Sequence, residues 1–236
     1  MKTMAEFLKA YAQGLTDHET GGTKQRPWRM PVVVSRQFGS GGQVFAQTLA
    51  QRLGFEVCDR KILEEIARRS KVPEDLVRLL DEKPGRSLEV FGASLLLGTS
   101  LSVHDYDATL KGTLRALLQL GSVVILGRGA NFLAVPGKAL RVRLVAPPEL
   151  RIANIMQRCN ADEKKARQIV RDTDAERAKF LKRVYGQEDS APDSFDLVIN
   201  THKIPVDEAV RIALEVYELL ARSATPPESG SGHATP

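Results

Sequence analysis

Short apolar runs alternate with longer amphipathic stretches through most of the chain. Five of these runs have the length and composition of buried strands: residues 31–35, 55–58, 122–126, 140–145 and 195–199. Amphipathic stretches with helical periodicity separate them, and this alternation is typical of a parallel sheet covered by helices on both faces. The pattern therefore predicts an α/β, doubly wound fold around a mainly five-stranded parallel sheet.

The same pattern predicts several helix positions. A short amphipathic helix is expected over residues 1–13, and a last one over 206–221. Another helix should begin at Pro148, because proline is favoured in the first helical turn, and run toward Cys159. The stretch from about 60 to 120 is mostly helical in pattern.

Composition marks both ends of the chain as different from its middle. After the first helix, the rest of residues 1–30 is polar and glycine-rich, as in a linker. Residues 31–222 are expected to form the folded domain. Residues 223–236 are rich in Pro, Gly, Ser and Thr without an apolar anchor, so we expect a disordered tail.

Length and composition exclude several classes of protein. The chain has 236 residues, 42% hydrophobic and 27% charged, which is typical of a folded domain and not of a disordered or disulfide-stapled chain. Cys58 and Cys159 have no second Cys or His at ligand spacing, so they are expected to be buried reduced thiols and no metal site is predicted. No membrane span or secretory signal is recognisable, which favours a cytoplasmic protein without a membrane partner.

The positive charge is concentrated in one segment. The formal net charge is +5, and residues 151–183 alone hold ten Lys and Arg against five Asp and Glu. The remainder of the chain is therefore neutral overall. A local basic segment of this kind indicates an anionic ligand.

A glycine-rich loop follows the first predicted strand of the domain. Residues 35–43 read SRQFGSGGQ and lead directly into a helix, so backbone N–H groups and the helix N-terminus can face a phosphate. The usual phosphate loop reads G-x-x-x-x-G-K-[ST]. Here Arg36 stands at the first glycine, Gly42 at the lysine and Gln43 at the hydroxyl residue. A plain strand–helix turn is the alternative interpretation.

The segment VVVSRQFGSGGQVFAQTLAQRLGFEVCDRKILEEIA resembles the N-terminal signature of the cytidylate kinase-like family, a branch of the P-loop nucleoside monophosphate kinases. VVILGRGANFL at 123–133, LRVRLVAPPELRI at 140–152 and FDLVINT at 195–201 also match. The resemblance covers roughly residues 31–221. It implies a P-loop kinase type of sheet, a helical nucleotide-binding insert over about 60–120 and a basic lid over about 160–187.

The resemblance assigns the glycine loop to the phosphates of ATP. The residues it implies in binding ATP and its phosphates are Arg36, Gly39, Ser40, Gly41, Gly42 and Gln43.

For the acceptor, the resemblance implies Asp59, Arg128 and Asp174. Related cytidylate kinases carry G-R-D where this chain has Gly127-Arg128-Gly129, so the arginine carries over and the carboxylate does not. Asp59 is equally well placed to cap a helix, and Arg128 is also compatible with an exposed loop arginine.

The implied lid contains D-x-x-R at Asp174 and Arg177, with Arg171 before it. Arg171 and Arg177 are the residues expected to neutralise charge during transfer, because a guanidinium binds two phosphate oxygens at once. A solvated charged helix with pairs such as Glu163–Arg167 is the alternative.

The function implied by the resemblance is ATP-dependent phosphoryl transfer to a nucleoside monophosphate, CMP or dCMP, with ATP and Mg²⁺ as cofactors. The absent loop lysine favours a second hypothesis, a catalytically weak nucleotide sensor or partner-binding protein. Nucleic-acid binding through the basic segment is disfavoured, since only 6% of the residues are aromatic and none are interleaved for base stacking. The sequence does not specify an oligomeric state.

Overall fold

The computed structural model describes residues 3–19, 22–25, 27–67, 103–188 and 191–226. Of the predicted insert, the two ends lie among these residues and the central part lies outside them.

Five parallel strands form the central sheet. They are β3 (Val32–Arg36), β4 (Glu56–Cys58), β5 (Val123–Leu126), β6 (Leu140–Val145) and β7 (Leu197–Asn200). Their order in space is β4-β5-β3-β6-β7, and every neighbouring pair is parallel. The predicted parallel sheet is confirmed, and β3 lies at its centre.

The helices begin and end where local signals place them. They are α1 (Met4–Gly14), α2 (Gly42–Leu53), α3 (Arg60–Ala67), α4 (Val103–Leu120), α5 (Pro148–Cys159), α6 (Glu163–Tyr185) and α7 (Val206–Ala221). Thr3 and Glu6 form a capping box at the start of α1. The Asp162 side chain caps α6, and Gly186 ends it in a left-handed conformation.

Helices cover both faces of the sheet, as the strand pattern predicts. On one face, Val33 and Ile125 join an apolar cluster with α1, α3 and α4. On the other, Val32 and Val34 pack with α2 and α7. Because successive strand residues point to opposite faces, uninterrupted apolar runs bury side chains in both layers.

Two segments differ from the sequence prediction. Within the stretch expected to be a linker, β1 (Thr16–Glu19) and β2 (Gly22–Gln25) pair as an antiparallel hairpin. Their sequences, TDHE and GTKQ, lack the apolar alternation from which a strand would be predicted.

At the other end, Ala224 packs against the α2–α7 cluster, and Lys138 Nζ donates to Thr225 Oγ1 and, over 3.4 Å, to the Pro226 carbonyl. The first residues of the predicted tail thus contact the domain, and 227–236 lie outside the described part of the chain.

The two cysteines differ in exposure. Cys58 is buried as predicted, whereas Cys159 is exposed at the end of α5. None of the helices in the described ranges is long and apolar enough to cross a membrane.

Candidate functional site

The glycine loop lies at the carboxyl end of β3, the central strand. Gly39 and Gly41 have φ of +86° and +80°, a region that side chains rarely adopt. A Cβ on Gly39 would lie 2.6 Å from the Arg151 carbonyl oxygen, so the loop packs tightly on α5. No side chain caps α2, whose first-turn amides have no partner within the helix. An uncapped helix start behind a glycine turn is a favourable place for an anion.

Neighbouring elements fix the loop by its carbonyl groups. Thr201 Oγ1 donates to the Ser40 carbonyl over 3.1 Å, and Asn154 Nδ2 donates to the Gly39 carbonyl over 2.8 Å. Ser40 itself is 1% exposed, and its hydroxyl and amide both donate to the Gln37 carbonyl. Both donors of Ser40 are thus engaged within the loop, and its contact with phosphate stays a prediction.

A cavity opens in front of the loop and is here called the loop cavity. It is lined by residues of the loop, of the first turns of α2 and of α5, among them Gly39, Gly41, Gly42, Gln43, Asn154 and Arg158. Phe38 lies in its wall between two guanidinium groups, with Arg158 4.8 Å and Arg177 5.1 Å from the ring centroid. The start of α2 and the guanidinium groups of Arg158 and Arg177 thus line the same cavity.

A second cavity, the Arg128 cavity, adjoins the first and shares Arg36, Leu126 and Arg177 with it. Its lining includes Ser35, Arg36, Arg60, Arg128, Asn131, Arg177 and Phe180.

Arg128 is mostly enclosed: its side chain is 11% exposed, pairs with Glu64 and lies 4.3 Å above the Phe180 ring. Burial, followed by repulsion from Arg60 and Arg177, lowers the pKa of Arg128 to about 10. Its Nε is buried without a hydrogen-bond partner among the described residues. A bound anion would supply that partner and offset the crowding of positive charge.

Gly129 cannot carry the carboxylate that related kinases have at this point. A Cβ on Gly129 would lie 2.8 Å from Cδ2 of Tyr185, and Gly129 has φ of +69°. The Tyr185 hydroxyl donates to the Arg128 carbonyl over 2.7 Å, and burial raises the pKa of that hydroxyl. Tyr185 therefore occupies the space beside Arg128 and ties the end of α6 to this loop.

Arg36 and Arg177 line both cavities and a third one beneath α6, which Asp174 and Lys182 also line. The two residues touch, since Arg177 Nη1 donates to the Arg36 carbonyl over 3.1 Å. Two positive side chains thus stand at the boundary between the loop cavity and the Arg128 cavity.

Other predicted residues have different positions from those expected. Asp59 caps α3: its Oδ1 accepts from the amides of Lys61 and Ile62 over 2.9 and 3.1 Å, which is the alternative considered for it. Arg171 has a side chain that is 76% exposed, lies 3.5 Å from Asp172 and lines none of the three cavities. The structure does not bring Arg171 to the site.

Asp174 connects the predicted lid to the glycine loop. Its Oδ1 accepts from the Phe38 amide over 2.9 Å, and its Oδ2 pairs with Arg151. Arg151 also donates to the Phe38 carbonyl over 3.3 Å. Both carboxylate oxygens of Asp174 are therefore engaged at the loop, and its contact with the acceptor stays a prediction.

The sequence did not lead us to the role of α5 in holding the glycine loop. Arg151 and Asn154 are three residues apart, on the same helical face, and both bind loop carbonyls. The Arg151 side chain is only 11% exposed. The i, i+3 spacing of two hydrogen-bonding residues after a strand was the available signal.

Comparison with known proteins identifies a family and relatives for this chain. The family model described as "Cytidylate kinase-like family" matches residues 32–203. A cytidylate kinase from Methanopyrus kandleri is 26% identical over 198 residues, covering 80% of this chain and 93% of that protein.

Among solved structures, an uncharacterized protein from Eubacterium ventriosum ATCC 27560 superposes with a TM-score of 0.63 at 19% identity. The match covers 81% of this chain and 99% of that one. It shows a shared fold.

Proposed function

This chain belongs to the cytidylate kinase-like family, and from that premise we propose that it transfers the γ-phosphoryl group of ATP to a nucleoside monophosphate, CMP or dCMP. The observation that carries the proposal is the pair of cavities that meet at Arg36 and Arg177. One contains a glycine loop with an uncapped helix start, and the other a buried arginine with an unpaired donor. A donor and an acceptor, each bearing phosphate, match this arrangement.

The loop cavity is proposed to hold the phosphates of ATP. The amides at the start of α2, with Gly41, Gly42 and Gln43, face the cavity and suit the β-phosphate. Arg158 adds charge from α5.

The Arg128 cavity is proposed to hold the acceptor. The unpaired Nε of Arg128 would donate to the acceptor phosphate, and Arg60 lies in the same wall. Two arginines suit a doubly charged monophosphate better than a neutral hydroxyl substrate.

In the transfer, an oxygen of the acceptor monophosphate forms a bond to the γ-phosphorus while the bond from that phosphorus to the β-phosphate oxygen breaks. ADP and a nucleoside diphosphate result. No protein nucleophile is needed, so this chain's contribution is positioning and charge, chiefly from Arg36 and Arg177.

Mg²⁺ enters with ATP as part of the substrate. Within the described ranges, no group of three His, Cys, Asp or Glu side chains is arranged to hold a metal ion. The ion is accordingly expected to be held mostly by the phosphates and water, which is common for Mg²⁺ in kinases.

A nucleotide sensor with weak catalysis is the second candidate. It is favoured by Gly42, which stands where a phosphate loop carries lysine, and by the contacts of Asp174 and Arg151 that already hold α6 on the loop.

The test is a coupled ADP-release assay with MgATP and a panel of ribo- and deoxyribonucleoside monophosphates, alongside nucleotide-binding measurements. Turnover that is highest with CMP or dCMP supports the kinase. ATP binding without turnover on any acceptor supports the sensor instead, and absence of ATP binding contradicts both.

A further inference from the structure

We propose that Arg36 supplies the cation that a usual phosphate loop takes from its lysine, and that Gly42 is glycine because the Arg36 side chain fills the lysine's place. This inference rests on the proposed function, since it concerns how the same site holds the phosphates of ATP. The sequence pattern of the loop does not predict contact between Arg36 and Gly42, because the two residues are six apart in sequence.

The backbone at Gly42 does not itself require glycine. Gly39 and Gly41 have positive φ, whereas Gly42 is the first residue of α2 and is not among the glycines with positive φ. What a side chain there would meet is Arg36: a Cβ on Gly42 would lie 2.6 Å from Cγ and 2.7 Å from Cβ of that residue. A lysine at 42 and Arg36 as placed therefore exclude each other.

The far end of Arg36 lies where the phosphate chemistry would take place. A Cβ on Gly127 would lie 3.1 Å from the Arg36 guanidinium carbon, so the group rests against the backbone just before Arg128. From this position Arg36 lines the loop cavity and the Arg128 cavity together. A phosphoryl group passing from one cavity to the other would pass this guanidinium.

The direction of approach differs from that of a loop lysine. The Arg36 side chain starts from the end of β3, crosses over Gly42 and ends at Gly127, while its carbonyl accepts from Arg177. An arginine remains charged at any working pH and can contact two phosphate oxygens. Arg36 would thus place a cation at the β- and γ-phosphates, as a loop lysine does, but from the end of β3 and not from the start of α2.

The first experiment measures binding of ATP and ADP to Arg36→Met and Arg36→Ala by calorimetry. Methionine keeps an apolar stem over Gly42 but removes the charge. Both variants are expected to lose about tenfold or more in ATP affinity and less in ADP affinity, because the cation faces the terminal phosphates. Arg52→Ala, at the other end of α2, is the matched charge-removal control. ATP binding by Arg36→Met equal to wild type would overturn the proposal.

The second experiment is a rescue. Arg36→Ala opens the space over Gly42, so the double variant Arg36→Ala/Gly42→Lys is expected to regain about tenfold in ATP affinity over Arg36→Ala. Gly42→Lys alone is expected to lower the melting temperature, because the added side chain meets Arg36. If Arg36 acts only on the structure of the loop, a lysine at position 42 will not restore ATP binding. A folded double variant that binds ATP no better than Arg36→Ala therefore contradicts the proposal that Arg36 takes the place of the lysine.

These measurements separate the two proposals. If wild type binds ATP but phosphorylates no nucleoside monophosphate, the proposed function fails while the ATP-against-ADP comparison still decides the role of Arg36. If wild type is active and the variants bind and react as wild type does, the Arg36 proposal fails alone.

Discussion

The two arginines at the boundary of the cavities differ in what holds them. Arg36 ends the central strand, four of whose five residues are buried, and its side chain is enclosed by Gly42 and Gly127. Arg177 belongs to α6, a helix of 23 residues with four buried ones. Arg36 is therefore anchored in the buried sheet, whereas Arg177 is carried by a helix that buries only a small apolar face.

This difference predicts a division of labour between the two residues. A cation fixed in the framework contacts bound ATP at every stage, so it contributes mainly to affinity. We expect the cation on α6, an element held on the loop by polar contacts, to contribute mainly where charge develops, in the transition state.

Replacing Arg177 with alanine should have the largest effect. We expect Arg177→Ala to lower kcat by about 100- to 1,000-fold, the usual cost of removing one preorganised charge, with the KM for ATP changed less than about threefold. Steady-state kinetics with the best acceptor measure both. Arg167→Ala, which breaks the exposed pair with Glu163 on the same helix, is the control. Equal changes in kcat and KM for Arg177→Ala and Arg36→Ala would contradict the division.

Disturbing the packing of α6 against the loop that carries Arg128 should have the second-largest effect. Gly129→Ala is expected to lower the free energy of unfolding by about 2–3 kcal/mol, from the positive φ and the contact with Tyr185. Gly137 has φ of +77° but open space around it, so Gly137→Ala isolates the backbone cost of about 1–2 kcal/mol. Denaturant unfolding of both variants gives the difference. Equal losses would mean that Tyr185 moves away without cost.

Charge at the start of α2 should have a smaller effect, and one of opposite sign on binding and stability. Gln43→Glu is expected to weaken ATP binding about tenfold by repelling phosphate, while a carboxylate in the first turn keeps or slightly raises Tm. Calorimetry and a thermal melt on the same sample measure the two quantities. Gln51→Glu, in the last turns of α2, serves as the control. Unchanged ATP affinity in Gln43→Glu would show that phosphate binds elsewhere.

Arg171→Ala should have the smallest effect. Because this side chain is 76% exposed and outside the three cavities, we expect kcat and KM within about twofold of wild type, as for most surface substitutions. Steady-state kinetics beside Arg177→Ala make the comparison within one helix. A loss approaching that of Arg177→Ala would restore the original assignment of Arg171 to catalysis.

Much of the fold was predictable because its signals are local. The helices Pro148–Cys159 and Val206–Ala221 have the bounds that proline placement and apolar periodicity predict. The hairpin before β3 was missed because backbone pairing of polar residues leaves no apolar pattern. The order of the strands in the sheet could not be predicted from local patterns, because it depends on how the connecting helices pack across the sheet.

The sequence by itself determined the doubly wound sheet, the glycine loop after the first strand of the domain and the concentration of basic residues in one segment. These follow from residue periodicity, from glycine's conformational range and from counting charges. Tertiary structure alone decided which basic residues meet. It placed Arg151 and Arg177 against the loop and left Arg171 in solvent, although all three lie in the same basic stretch. It also put the Arg36 stem over Gly42, because proximity across a turn depends on backbone path and packing, which residue types along a chain do not specify.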